Sequence, residues 1–280
     1  MSLIYEIMDY LLPFSMFRYA FMKNALLAIL LITPLLGLLG TMTVNNRMAF
    51  FSDALGHSAL TGIALGVSLG VEDTLLCLLG FGVFLALVIT RVQRSGTASK
   101  DTIIGVFSSV SVALGLVVLS RGGNFSAYSA ALTGDILSIT PREIFYLAIM
   151  LITVSVLWRI FYNRLLLVSL NASLAASRGI HVQALEYGFV CVVAVAVMLS
   201  VRAVGVLMIN SLLVLPAAAS RNITRSSRGY QALSLVLAVG CGLAGLLLSY
   251  ALDTSAAAAI VLLLAICFGI TWLLNRLRNR

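Results

Sequence analysis

What most constrains this chain is the recurrence of apolar runs about 20 residues long, each the length needed to cross the hydrocarbon of a bilayer. A run such as ALLAILLITPLLGLLGTMTV (25–44) can satisfy its backbone in that medium only as a helix, because no water there pairs with an open N–H or C=O. Such runs lie near 24–44, 50–70, 74–91, 103–120, 144–162, 186–201, 203–220, 231–251 and 256–274. The 280 residues are 61% hydrophobic and only 10% charged, too little polar surface to coat a water-soluble globule. The chain is therefore expected to be an all-α polytopic membrane protein, a single transmembrane domain over 1–280 with eight or nine transmembrane helices. Two counts stay open because the seventh and sixth runs, separated only by Arg202, also read as one broken element.

The basic residues set the orientation. Arg91, Arg94 and Lys100, then Arg159, Arg164 and Arg178, then Arg221, Arg225 and Arg228, then Arg276, Arg278 and Arg280 gather between apolar runs, as cytoplasmic loops do. The formal charge of +8 is thus a topology signal rather than a nucleic-acid footprint. Arg47 falls on the same inner side, Glu72, Asp73 and Asp253 on the outer one. Residues 1–17 lack a basic start and a small-residue cleavage site, so they read as an interfacial helix and not as a removable signal.

Several chemistries are excluded by what is missing. A phosphate-cradling glycine loop needs Lys followed by Ser or Thr, and neither Lys23 nor Lys100 stands in that setting. Any ATP-driven motor must then be a separate subunit. With His57 and His181 alone no two-histidine zinc-protease helix can be built, and GHSAL lacks the glycine flanks of a nucleophile turn. Catalysis is not expected. Cys77, Cys191, Cys241 and Cys267 are isolated within apolar segments and read as packing residues.

Against this background FSDALGHSALTGIALG (51–66) stands out. Asp53 and His57 are i and i+4 on one helical face, and Thr61 continues the stripe. An acid at the bilayer centre costs about 2.5–3.5 kcal/mol on insertion scales, so such groups face a bundle interior or a pathway. Carboxylate and imidazole suit zinc, manganese and iron. They serve equally as hydrogen-bonded glue between helices or as a proton relay, and the residues alone leave these readings open. Ser58, Gly62, Gly66 and Gly70 form a neighbouring stripe of small residues, read as a helix-packing face.

Farther along, 165–187 is a cytoplasmic connection rich in small residues, with Gly179 following Ala175. It reads either as a plain loop or as a docking element for an ATPase. Glu186 and Arg202 lie near span ends and are expected to reach toward headgroups. Asp135 and Glu143 flank an outer loop, and Pro216 removes a backbone hydrogen bond near a span end.

Together these segments resemble the membrane permease subunits of the manganese, zinc and iron ABC importers. FFSDALGHSALTGIALG resembles that family's second-span signature, and KDTIIGVFSSVSVALGLVVLS its segment after the first large cytoplasmic loop. AYSAALTGDILSITPREI, VRAVGVLMINSLLVLPAAASR and GLLLSYALDTSAAAAIVLL follow in family order, so the likeness spans nearly the whole chain. Departures occur at Thr61, where the family often has Pro, and near Ser255–Ala258, where it has Pro or Gly. The resemblance implies a fold similar to the vitamin B12 and siderophore importer permeases. It implies a permease in the bacterial cytoplasmic membrane, paired with itself or a paralogue. Two cytoplasmic ATPase subunits that bind ATP, and an extracytoplasmic metal-binding protein, are its implied partners. It further implies that Asp53 and His57 contact the transported manganese, zinc or iron, that Ala175–Gly179 couples to the ATPase, and that no cofactor is permanently bound. A stand-alone secondary transporter or channel is the alternative, although no internal repeat between the two halves supports it.

Overall fold

The computed structural model describes residues 19–71, 74–96, 98–122 and 136–278. The segment expected to form an interfacial helix, 1–17, lies outside the described residues, as do Glu72, Asp73, Asp135 and Arg280. Long helices appear at all nine apolar runs: α1 (Ala20–Asn45), α2 (Phe51–Ser68), α3 (Thr74–Gln93), α4 (Lys100–Gly122), α5 (Pro141–Leu170), α7 (Val182–Val204), α8 (Val206–Ile223), α9 (Ser227–Ala251) and α10 (Ala256–Arg278). A short helix, α6 (Ala172–Ser177), joins α5 to α7, and a single 3-10 turn, Ile136–Ser138, precedes α5. No strand occurs among the described residues.

Eight of these helices are long and apolar enough to cross a membrane; the exception is α2, diluted by Asp53, His57 and its small polar residues. Yet α2 is among the most buried elements, packed against α3, α4, α7 and α8. The physical reason is that its neighbours, not its own hydropathy, shield it from lipid. The ambiguity between eight and nine spans thus falls on α2 and not on the Arg202 junction. At that junction α7 and α8 are separate helices broken at Gly205, whose φ of 84° and ψ of 164° only glycine adopts without strain.

α1 is the central column, buried along most of its length against α5, α8 and α9. α2, α3 and α4 pack against one another, with α2 also on α8 and α3 on α7, while α10 packs on α8 and α9. Close approach depends on small residues. A methyl group on Gly62 would lie 2.9 Å from Leu78 Cα, and one on Gly245 2.8 Å from Ile260 Cα.

Boundaries follow local chemistry. α5 starts at a capping box in which Thr140 Oγ1 accepts from the Glu143 amide and Glu143 Oε2 accepts from the Thr140 amide, with Pro141 at the first helical position. Its 30 residues make about 45 Å of helix, longer than the roughly 30 Å hydrocarbon layer. All of 165–170 therefore extends α5, 182–187 opens α7, and the connection between them narrows to 171–181.

The two ends differ in charge. At one end Lys100 Nζ donates to the Asn46 carbonyl at 3.0 Å, Arg94 pairs with Glu186 at 3.1 Å, and Arg47, Arg221 and Arg225 line one cavity. This end is cytoplasmic by the positive-inside rule. At the other, Arg202 Nε pairs with Glu143 Oε1 at 3.2 Å. Glu186 of α7 is thus held by Arg94, one residue past α3, and Arg202 of α7 by Glu143 of α5, a correction to their expected reach toward headgroups. Glu143 likewise caps α5 and is no free loop charge.

Candidate metal path

Asp53 sits in the first turn of α2, where the helix dipole favours an acid. His57 Nε2 lies 3.5 Å from Asp53 Oδ1, as the i, i+4 spacing requires. Across from them, Asn210 of α8 donates its side-chain amide to the same Oδ1. The contact is possible because Gly56 lets α2 meet the start of α8: a methyl there would be 2.6 Å from Val206 Cγ1 and 3.4 Å from its Cβ. The side chains of His57 and Asp53 remain 54% and 45% exposed, so the cluster is open on one side in the isolated chain.

Asn210 had not stood out in the sequence. Its own Oδ1 is buried without a hydrogen-bond partner among the described residues. The signal was a lone carboxamide inside an apolar run, easily read as helix glue. Carboxylate, imidazole and amide oxygen together form a partial, mixed oxygen–nitrogen donor set. Among the described residues no cluster of three or more His, Cys, Asp or Glu side chains occurs.

Thr61 does not join this face. Each step of four residues turns a helix by 400°, so the stripe rotates about 40° per step. By Thr61 it has turned into α4, where the buried hydroxyl donates to the Ser111 carbonyl and Gly115 makes room, a methyl there falling 2.7 Å from Thr61 Oγ1. The hydroxyl is used for packing.

The small-residue stripe divides as well. Ser58 is buried and donates to the Leu55 carbonyl at 2.7 Å; Gly62 and Gly66 face Cys77 and Leu78 of α3. Gly70 instead lies beyond the helix in a turn with φ of 68° and no neighbour within 4 Å of a built methyl. It terminates α2 and packs against nothing.

In the loop after α5, Asn171 caps α6 by accepting from the Leu174 amide at 3.0 Å. Ala175 is fully buried, and Gly179, φ 75°, turns the chain into α7. Pro216 is accommodated within a continuous α8.

One pairing was invisible in sequence. Cys241 and Cys267, 26 positions apart, face each other across the α9–α10 hairpin with sulfurs 3.6 Å apart. Treatment of the purified chain with a membrane-permeant oxidant is expected to link these two thiols and leave Cys77 and Cys191 open to alkylation. Peptide mapping that finds 241 and 267 alkylated after oxidation would contradict the α9–α10 packing.

The model of a family described as the ABC 3 transport family matches residues 18–275. The zinc uptake membrane protein ZnuB of Haemophilus influenzae is 29% identical over 87% of this chain and 94% of its own. The manganese import permease ScaB of Streptococcus gordonii is 27% identical over 91% of each chain. Among solved structures, PsaBC from Streptococcus pneumoniae in complex with Fab superposes with a TM-score of 0.79, at 26% identity over 91% of each chain.

Proposed function

Because the chain belongs to the ABC 3 transport family, it is a membrane permease subunit of a metal-importing ABC system, and we propose that Asp53, His57 and Asn210 line the path of the ion. It is a multi-pass protein of the bacterial cytoplasmic membrane and carries no ATPase motif of its own. The reading as a stand-alone secondary transporter gives way to this membership. The single observation that carries the path is the half-open cluster of Asp53, His57 and Asn210 on an α2 otherwise buried.

The cargo is a divalent transition metal, manganese, zinc or iron, for which mixed oxygen and nitrogen donors are suited. One chain supplies too few donors for a tight site, and a second permease copy or paralogue facing the open side would supply the rest. Few donors also suit a station that an ion must leave. An extracytoplasmic metal-binding protein delivers cargo at the Glu143–Arg202 end, and ATPase subunits dock at the basic end. There α6, with buried Ala175 and the Gly179 turn, passes their movement to α5 and α7.

Gly179→Val tests the coupling role. The left-handed backbone at this position costs a branched residue about 1–2 kcal/mol, which distorts the loop while the spans stay packed. The ATPase subunits should co-purify in reduced amount and ATP-dependent metal uptake should fall several-fold, with the permease level in membranes unchanged. Wild-type co-purification and uptake would remove α6 and Gly179 from coupling. Uptake that persists when the ATPase subunits are deleted would remove the importer assignment itself.

A further inference from the structure

A cavity of about 580 Å³ opens between α5 and α7 at the basic end and reaches inward to Leu39 of α1. Its mouth carries Arg164, Arg178 and His181; its interior is apolar, walled by Trp158, Phe161 and Phe189. Among the described residues none that lines it is acidic. Arg164 lies over the Phe161 ring, 5.9 Å from its centroid, so one guanidinium is laid against the cavity wall. Trp158 is only 9% exposed, and its indole N–H is buried without a hydrogen-bond partner among the described residues.

A buried indole N–H normally finds an acceptor. A ligand complementary to this lining would offer an acceptor to Trp158, negative charge to Arg164 and Arg178, and apolar chains to the remainder. We propose that this cavity binds an anionic phospholipid of the cytoplasmic leaflet. Its phosphodiester pairs with Arg164 and Arg178 at the mouth. An ester carbonyl accepts from Trp158, which lies six residues, about 9 Å, deeper along α5. Basic pockets between transmembrane helices on the cytoplasmic side are built for such headgroups. The site is separate from Asp53, His57 and Asn210, none of which lines it.

The chain holds two tryptophans, so Trp272→Phe leaves Trp158 as the sole indole fluorophore. The full chain carrying this change is reconstituted in phosphatidylcholine bilayers in which one minor fraction of lipid has brominated acyl chains. Brominated phosphatidylglycerol is expected to quench Trp158 as though enriched on the order of tenfold over brominated phosphatidylcholine at equal mole fraction. Arg164→Gln with Arg178→Gln should reduce that quenching to the phosphatidylcholine level, and the double lysine variant should retain it. Equal quenching by the two lipids in the parent protein overturns the assignment and needs no arginine variant to fold. So does a preference abolished by inorganic phosphate but not by chloride at equal ionic strength, which would mark a free-anion site. The preference should persist in the complex assembled with its ATPase subunits; its loss there would give the cavity to a partner segment.

Discussion

Replacing Asp53 by asparagine is expected to lower ATP-dependent uptake of manganese and zinc by at least about tenfold, since even changes one step removed from a metal ligand cost 10–100-fold. The substitution keeps shape and leaves an oxygen to accept from Asn210, so α2 and α8 should still meet. Only the negative charge goes, and with it the group that, on the proposed path, would offset dehydration of the ion. His57→Ala should act alike for a different reason. The imidazole is 54% exposed and contributes little to packing, so its loss removes a donor without opening a core. Radiolabelled metal uptake, normalised to permease in the membrane fraction, is the measurement. Wild-type uptake in both variants at wild-type abundance would sink the path assignment. Asn210→Ala is a sharper case, because it leaves Asp53 without its interhelical donor and removes a buried oxygen beside the proposed path.

The spans were legible because the membrane leaves the chain so few options. Runs such as 25–44 or 256–274 are long, apolar and bounded by polar residues, and periodicity was not needed to read them. α2 was legible for the opposite reason, through the contrast of Asp53 and His57 with their surroundings. What the sequence hid was every relation between helices. Asn210 is 157 positions from Asp53, and Cys241 and Cys267 belong to different helices. Glu186 finds Arg94, and Glu143 finds Arg202, only once α3, α5 and α7 are packed. Thr61 shows a subtler limit. A four-residue repeat approximates one face over a single turn, but its rotation carries the third member into a different interface.

The helix crossing that holds Asn210 in place rests on Gly40, and Gly40→Val should be among the most destabilising single changes in the chain. A methyl on Gly40 would collide with the Leu213 carbonyl oxygen, with the Leu213 carbonyl carbon 2.9 Å away. These are backbone atoms committed to the hydrogen-bond ladder of α8, so no side chain can rotate aside. The α1–α8 seam must open, at a cost at or above the upper end of the about 1–3 kcal/mol typical of overpacking. Gly105, a helical glycine with open space at the same position, provides the control: Gly105→Ala should be neutral or stabilising by up to about 1 kcal/mol. Thermal unfolding of the purified permease in detergent separates the two, and Gly40→Val unfolding at the wild-type temperature would contradict the seam. The consequence extends to transport. Leu213 is one turn from Asn210 on α8, so a displacement that relieves the collision also shifts Asn210 relative to Asp53. Gly40→Ala should therefore lower metal uptake even at a temperature where the variant remains folded, because its primary effect is to move α8 relative to α1 and α2.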